Sequence, residues 1–267
     1  MLAFAALWLG CAPLRDAEDP SDWFDPGADL GVEEPLRFTD QNYDFGATGG
    51  IADLAAAVFP APDRTIVFAD GDQWPSGSSC DGETSDALPA EIEGIVTITP
   101  RFYTKVDGCD GEEKYYGNFF LQDASGGTFV LGDSKIAAFA AGDRVRLKVR
   151  SVRTNFDFDI VYAWDIEAIY REARPIYYEV ATQKLDQGDQ SFVRRVTGEV
   201  QGEPDTFGAF QVKDDLGTVF DVQIDAELNR RGFTVSPGQR VQVTGPVLYS
   251  YSIRAIVVMS LGQIEIL

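Results

Sequence analysis

Four basic residues alternate with apolar residues in the segment RVRLKVR, which spans residues 144–150. Alternate side chains of a β-strand share one face, so these bases would form a cationic ridge suited to a phosphate or an acidic glycan. The other interpretation pairs them with acidic residues of the next strand, such as Asp165 and Glu167. The sequence favours this pairing, although the ridge stays a candidate ligand site, formed by Arg144, Arg146, Lys148 and Arg150.

Aromatic residues cluster on both sides of two segments that read as loops. One group is Phe102, Tyr103, Tyr115 and Tyr116, and the other is Phe156 and Phe158. Exposed aromatic rings stack on nucleic-acid bases or on sugars, so these residues are candidate ligand contacts. The alternative, which the sequence favours, is that they fill the core or support long loops. Later in the chain, Tyr249 and Tyr251 occupy the loop equivalent to that of Phe156 and Phe158. The loop equivalent to that of the first aromatic group is shorter there.

Histidine is absent from the 267 residues, which removes Ser-His-Asp and Cys-His mechanisms and histidine-ligated metals. Acidic residues cluster twice, as Asp70 with Asp72 and as Asp107, Asp110 and Glu112. Neither cluster has the spacing of an EF-hand, and solvated turns explain both. We therefore predict no metal, no cofactor and no catalysis. A hydrolase that uses two carboxylates is the remaining enzymatic alternative, although no pair of acids stands out by its spacing.

The chain has three cysteines, and two of them form an even pair if the first is modified. Cys80 and Cys109 are then expected to form a disulfide, as an oxidising compartment favours, closing a loop of about 30 residues. The alternative is two free thiols. Because no CxxC spacing occurs and only two cysteines are left, a redox motif and a four-cysteine zinc site are both excluded.

The first cysteine follows an apolar run, MLAFAALWLG, over residues 1–10. Ten residues span about 15 Å as a helix, which is too short to cross a membrane. With Gly10 before Cys11, the run resembles the end of a bacterial lipoprotein signal. It departs from that pattern because no base precedes the run and because Trp8 replaces a smaller residue. The resemblance implies lipidation of Cys11 and a place in the bacterial cell envelope, at the outer membrane or cell surface. An ordinary secretory signal and a chance apolar N-terminus are the alternatives.

Acidic residues are concentrated at the start of the chain. The net charge is −21, yet residues 1–93 hold 19 acidic and three basic residues, and residues 94–267 hold 24 and 19. We interpret 12–50 as an acidic flexible tether and 51–93 as a lead-in, with a helix over 51–58, a strand over 65–69 and an acidic insert. The overall charge argues against nucleic acid, which needs clustered bases.

Beyond residue 93 the hydrophobic pattern has period two, which predicts strands. The first set covers 94–99, 116–122, 128–131, 144–152 and 160–170, with a short helix between the third and fourth strands. A linker at 173–193 follows. The second set covers 196–201, 207–213, 218–224, 240–247 and 252–266, with a helical turn at 225–231. The order of elements is the same in both sets, and this indicates an internal duplication.

Residues also match between the two halves. FFLQDASGGTFV (119–130) aligns, with one gap, with AFQVKDDLGTVF (209–220). AAGDRVRLKV (140–149) aligns with SPGQRVQVTG (236–245), and Gly94 with Gly198. This pattern resembles tandem OB-folds of lipid-anchored or secreted bacterial proteins, some of which accompany nucleases. The resemblance covers residues 94–267 and implies an all-β fold, with two five-stranded Greek-key barrels at 94–172 and 194–267.

These features predict a non-catalytic cell-envelope lipoprotein whose barrels act as a binding or assembly module. Its partners would be the membrane, through the lipid, and a protein or a glycan. The alternative is an accessory protein that binds oligosaccharide or single-stranded nucleic acid, with nucleic acid less favoured. Because the resemblance carries no catalytic motif, it points to the fold and leaves the ligand open.

Overall fold

A computed structural model describes residues 36–42, 50–58, 65–67, 83–84, 91–99, 101–107, 113–132, 140–155, 158–170, 175–225, 228–229, 232–250 and 253–267. Most of them lie in β-strands. Among the described residues, no helix has the length and hydrophobicity needed to cross a membrane.

Helix α1 and strands β1 to β9 make up the part of the N-terminal half that the structure describes. The helix is α1 (Ile51–Val58), and the strands are β1 (Phe38–Thr39), β2 (Thr65–Val67), β3 (Glu83–Thr84), β4 (Glu91–Val96), β5 (Arg101–Asp107), β6 (Glu113–Gln122), β7 (Gly127–Gly132), β8 (Arg144–Asn155) and β9 (Phe158–Tyr170). Strands β4, β6, β7, β9 and β8 pair in that order, and β8 also pairs with β4. Strand β5 extends this N-terminal sheet as a hairpin with β6.

Strands β10 to β17 form the C-terminal half. They are β10 (Ile176–Tyr177), β11 (Glu179–Val180), β12 (Val193–Val200), β13 (Ala209–Lys213), β14 (Val219–Ile224), β15 (Arg240–Ser250), β16 (Ile253–Val258) and β17 (Ile264–Ile266). Strands β12, β13, β14, β16 and β15 pair in order, and pairing of β15 with β12 closes a five-stranded barrel. A helical turn at 228–229 lies between β14 and β15.

The barrel forms because apolar and polar residues alternate along its strands. In β14, Phe220, Val222 and Ile224 are buried, and the residues between them face outward. The inward residues of all five strands meet in one core, which includes Val196, Val212, Phe220, Val222, Ile224, Val241, Val243, Val247, Ile256 and Val258. Burial of this apolar surface is the main force that holds the barrel together.

Glycines allow β4 to pass close to β6 and β12 to pass close to β13. A Cβ atom on Gly94 would lie 2.7 Å from the carbonyl oxygen of Gln122, and one on Gly198 would lie 2.2 Å from that of Lys213. These distances are shorter than any normal contact, so only glycine fits at either position. The matching positions support the internal repeat that the sequence indicates.

A buried side chain connects the two halves. The amide of Gln122, at the end of β6, accepts a hydrogen bond from the main-chain N–H of Val193 (2.7 Å) and donates one to the carbonyl of Tyr177 (2.9 Å). Around this amide lies a small apolar cluster drawn from both halves, which includes Ile95, Ala141, Ile176 and Val193. The chain between the halves is therefore packed into their junction.

The segment Leu36–Thr39 also packs at this junction. Strand β1 pairs in parallel with β10, and the main-chain N–H groups of Ile176 and Tyr178 donate to the carbonyls of Arg37 (2.7 Å) and Thr39 (2.9 Å). Tyr178 lies beneath the guanidinium of Arg195, 3.6 Å from it, and Thr244 accepts a 2.7 Å bond from the same group. Part of the segment interpreted as a tether is thus ordered against the barrel.

The predictions of a mainly β fold and of a closed five-stranded barrel are confirmed. The lead-in helix forms over Ile51–Val58, as predicted. The prediction of one strand over 252–266 is wrong, because a 3₁₀ turn at Leu261–Gln263 separates β16 from β17. Strand β5 was not predicted, and the predicted helix between β7 and β8 lies largely outside the described residues. The tandem and Greek-key interpretation stays a prediction.

Candidate functional site

Polar side chains form a row on the outer face of β13 and β14 in the C-terminal barrel. Gln211 and Asp221 lie directly opposite each other, and Gln223 lies two residues further along β14 on the same face. The Gln211 amide donates a 2.9 Å hydrogen bond to Oδ1 of Asp221, which fixes both side chains. The outward position follows from the alternation in both strands, since Phe210, Val212, Phe220 and Val222 point into the core.

This row presents mainly hydrogen-bond acceptors. The amide nitrogen of Gln223 donates to the carbonyls of Phe207 and Ile224, so it is occupied. Among the described residues, the remaining oxygens have no partner: Oδ2 of Asp221, Oε1 of Gln211 and Oε1 of Gln223. We call Gln211, Asp221 and Gln223 the acceptor row. A ligand along the row must supply hydroxyl or N–H donors.

An exposed aromatic ring lies at one end of the acceptor row. Phe207 belongs to the loop between β12 and β13 and is 53% exposed. Oδ1 of Asp205 accepts hydrogen bonds from the main-chain N–H groups of Phe207 (2.8 Å) and Ala209 (2.9 Å), which holds the loop in a tight turn. Gly208 has a φ of +84°, a conformation that glycine adopts without strain. The main chain that carries the ring is therefore fixed by hydrogen bonds within the loop.

Apolar side chains lie at the other end. Val219, on the same face as Asp221, is 37% exposed, and Ile253 of the neighbouring strand β16 is 49% exposed. Parallel pairing of Asp221 with Ala255 brings Ile253 beside Val219. Lys213 lies opposite Val219 and is exposed. We call Val219 and Ile253 the apolar end, and Lys213 lies beside it.

A stacked cation lies near the hairpin between β15 and β16. The guanidinium of Arg254 lies 4.6 Å from the ring centre of Tyr249, and these residues are directly opposite in the strand pairing. The sequence predicts Tyr249 in a loop equivalent to that of Phe156 and Phe158, whereas the structure places it near the end of strand β15. Such a pair can accept a stacked base or an anionic group.

The predicted cationic ridge is engaged within the protein at two of its positions. Arg144 and Arg146 both form ion pairs with Glu93, through Nη2 at 3.0 Å for Arg146. The Glu93 side chain is 7% exposed. The Glu93 carboxylate thus lies between two guanidinium groups.

Acidic residues of both neighbouring strands also lie opposite the ridge in the backbone register. Lys148 is opposite Glu91 of β4, and Arg146 is opposite Glu93 of β4 and Glu167 of β9. This placement favours internal charge pairing over a phosphate site. The structure gives the main-chain position of Lys148 only.

The predicted aromatic residues of the first loop lie in the β5–β6 hairpin. Thr104 pairs with Tyr116 and Lys105 with Tyr115, and a register shift occurs at Tyr103. Phe102 pairs with Gly117, and Phe158 begins β9. These positions are known for the main chain, and Phe156 lies outside the described residues. The structure thus brings Phe102, Tyr103, Tyr115 and Tyr116 into one hairpin, with Phe158 on a separate one.

Cys11, Cys80 and Cys109 lie outside the described residues, as do Asp70, Asp72, Asp110 and Glu112. Among the residues that the structure does describe, no group of three or more acidic, cysteine or histidine side chains could hold a metal ion.

The acceptor row was missed in the sequence, although a signal for it existed. The alternation of AFQVKDD and TVFDVQI predicts that Gln211, Lys213, Asp221 and Gln223 face outward. Glutamine and aspartate are common surface residues, so nothing in their types marked a site. Only the register, which places Gln211 opposite Asp221, shows that they form one row.

No protein-family model matches the chain, and no curated protein matches it. Among solved structures, the chain is similar to a replication protein A heterotrimer bound to ssDNA, with 12% identity and a TM-score of 0.34 over 68% of this chain and 50% of that chain. It is similar to the tetrameric p202 HIN2, with 10% identity and a TM-score of 0.30 over 76% and 99%. It is also similar to the single-stranded DNA-binding protein from Thermus aquaticus, with 12% identity and a TM-score of 0.22 over 66% and 90%. At these TM-scores the likenesses carry no argument about function, which therefore rests on the barrel's own residues.

Proposed function

We propose that the chain is a non-catalytic binding protein that takes an uncharged oligosaccharide across the outer face of β13 and β14. The observation that carries this proposal is the acceptor row, with Phe207 held at one end of it. Sugars offer many hydroxyl donors, and their C–H faces pack on aromatic rings. The strand-two and strand-three face is also where OB-type barrels bind oligosaccharides and oligonucleotides.

Charge favours a neutral ligand over a phosphate polymer. Residues 194–267 hold nine acidic and seven basic residues, and on the face itself the Lys213 amine is balanced by the Asp221 carboxylate. The three open oxygens of the acceptor row would repel phosphate oxygens. Nucleic-acid binding depends on clustered bases that neutralise phosphates, and this face has no such cluster among the described residues.

The test is a binding screen of the full chain against neutral oligosaccharides. We expect Phe207→Ala to weaken binding by about 2- to 12-fold, the range for losing one aromatic contact. The control is Leu261→Ala, which removes an equally exposed apolar side chain from the 3₁₀ turn after β16. Binding that Phe207→Ala leaves intact, or an absence of any neutral glycan ligand, would contradict the proposal.

Single-stranded nucleic acid is the second candidate, and the Arg254–Tyr249 stack is the observation that favours it. Stacking on tyrosine and a nearby guanidinium are both used by proteins that bind single strands. The two candidates differ in their response to salt. Affinity for a nucleic acid falls steeply as salt rises because counterions are released, whereas affinity for a neutral glycan changes little.

We further propose that the N-terminal sheet is a second OB-like barrel, so that the protein is a tandem of two Greek-key barrels. The cyclic pairing of β4, β6, β7, β9 and β8, and the matched glycines Gly94 and Gly198, support this interpretation. In this proposal Cys80 and Cys109 form a disulfide within the first half, as their even number favours.

The cell-envelope location is also a proposal, and the sequence around Cys11 supports it. A lipid on Cys11 would present the barrels to envelope glycans, which fits the proposed ligand class. We expect palmitate supplied to cells to label the wild-type chain and to leave Cys11→Ser unlabelled. Export of an unlabelled wild-type protein would contradict lipidation, and an ordinary secretory signal would then explain the apolar run.

A further inference from the structure

The apolar end of the proposed glycan face has no role in binding plain hydroxyl groups. Val219 and Ile253 are aliphatic, neighbouring and outward-facing, and they lie next to the carboxylate of Asp221. Residues two apart on a strand are about 7 Å apart, which is within the span of one sugar ring and its substituent. A ligand unit placed here must therefore combine a polar group and an apolar group over a short distance.

Three kinds of group flank this position, and each can contact a different kind of ligand group. The open oxygen of Asp221 accepts a donor, and Val219 with Ile253 covers an apolar group. Lys213 lies opposite Val219 on β13 and offers an amine at the end of a long side chain. An acetamido substituent carries the matching set in one unit: an N–H, a carbonyl oxygen and a methyl group. A plain hydroxyl lacks the methyl and the carbonyl. A free ammonium group would be attracted by Asp221 but repelled by Lys213, and it would offer no methyl group to Val219.

We propose that this face prefers oligosaccharides of N-acetylated amino sugars, with one acetamido group seated between Asp221, Lys213 and Val219. This inference rests on the proposed oligosaccharide function and specifies its substrate class. The acetamido N–H donates to Oδ2 of Asp221, the amine of Lys213 donates to the acetamido carbonyl, and the methyl packs on Val219 and Ile253. Phe207, at the opposite end of the acceptor row, packs on a neighbouring sugar ring.

The test compares three hexamers with the same β-1,4 linkage on the full chain by calorimetry: N-acetylglucosamine, glucose and glucosamine. We expect the N-acetylglucosamine hexamer to bind about tenfold more tightly than the glucose hexamer, because it adds a buried methyl group and two hydrogen bonds. The glucosamine hexamer should bind no more tightly than the glucose hexamer.

Two variants locate the effect. Val219→Ser should reduce the preference for the N-acetylglucosamine hexamer over the glucose hexamer to about threefold or less, since the contact with the acetyl methyl group is lost. Asp221→Asn should weaken the acetylated hexamer more than the glucose hexamer. The matched control is Val180→Ser, which changes an exposed valine on β11, away from this face.

The outcomes separate this inference from the function on which it rests. Equal affinity for the acetylated and glucose hexamers, or tightest binding of the glucosamine hexamer, overturns the acetamido preference and leaves the oligosaccharide function standing. Failure of all three hexamers also overturns the preference, and the wider neutral-glycan screen with Phe207→Ala then decides the function. A preference that Val219→Ser leaves unchanged places the acetamido group elsewhere and overturns the site.

Discussion

Glu179 shows how one carboxylate can hold a chain segment in place. It lies on β11 and accepts hydrogen bonds from Arg194 and from the hydroxyl of Tyr177, the latter at 3.0 Å. Partial burial opposes ionisation of Glu179, but these two hydrogen bonds outweigh it and lower its pKa. Arg194 also pairs with Asp189 at 2.7 Å, so the same guanidinium ties the linker to the first strand of the barrel.

The lowered pKa predicts a loss of stability in acid. In the unfolded chain Glu179 has its ordinary pKa, so its contribution to the free energy of unfolding is present above that value. The contribution is lost as the pH falls through the lower pKa of the folded state. Because the group is largely exposed, the effect should be no more than about 1 kcal/mol.

Urea unfolding between pH 7 and pH 3 measures this effect. We expect Glu179→Gln to lose less stability over that interval than the wild type, since it has no carboxylate to protonate. Glu203→Gln is the control, because Glu203 is exposed on the loop after β12. Identical pH profiles for the wild type and Glu179→Gln would show that the ion pair contributes nothing.

At the scale of the element, β4 in the N-terminal half and β12 in the C-terminal barrel each depend on a glycine. At Gly94, β4 passes within contact distance of the end of β6. At Gly198, β12 passes the end of β13 in the same way. In the C-terminal barrel the crossing is tighter, since the absent Cβ would lie 2.2 Å from a carbonyl oxygen of the main chain. A main-chain atom has no rotamer by which to move away.

Gly198→Ala should therefore destabilise the barrel by about 1–3 kcal/mol, the usual cost of overpacking. The measurement is the urea midpoint of unfolding. Gly202→Ala is the matched control, because a Cβ on Gly202 would meet no atom within 4 Å. A Gly198→Ala midpoint equal to that of the control would mean that the strands separate without cost.

Periodicity predicted most strands because half of each strand's residues are buried in a core. β13 and β14 show this directly, since their alternating buried residues match the alternation of the sequence. Strand β5 escaped prediction because it pairs with β6 alone, as one arm of a hairpin, and RFYTKVD has no clear alternation. The break between β16 and β17 was missed, although Ser260, Gly262 and Gln263 interrupt the apolar residues there.

The candidate site was less predictable than the fold. The sequence directed attention to aromatic and basic residues of the first half, since their types are distinctive. The acceptor row consists of ordinary surface residues, and its meaning comes from the pairing of Gln211 with Asp221 across two strands. Arg144 and Arg146 share Glu93, a residue that the sequence analysis had placed at the end of the lead-in.

At the scale of the whole molecule, the two halves are joined through the Gln122 amide. The amide oxygen of Gln122 accepts a hydrogen bond from the N–H of Val193, which is fully buried. The apolar cluster around the junction excludes water from this hydrogen bond. The equivalent position in the second half is Lys213, which is exposed. The N-terminal half thus uses this position to hold its neighbour, whereas the C-terminal barrel exposes it to solvent.

Gln122→Ala should loosen the junction. It leaves the N–H of Val193 and the carbonyl of Tyr177 without partners, and each such group costs about 1–3 kcal/mol when buried. We expect a lower urea midpoint and faster proteolysis within 175–193. Gln201→Ala, at an exposed glutamine, is the control. Unchanged midpoint and cleavage would show that the halves are joined by other contacts.

The parallel pairing of β1 with β10 has a mechanical consequence. The hydrogen bonds from Ile176 to Arg37 and from Tyr178 to Thr39 lie side by side along two strands that run in the same direction. Force applied through the chain ahead of Leu36 loads both bonds in shear, so they must break together instead of one after the other. Leu36 packs on Gly262 and Phe38 lies near Arg195, which adds to the resistance. If Cys11 carries a lipid, a pull between the membrane and a bound polymer would reach the barrel through this shear-loaded ribbon.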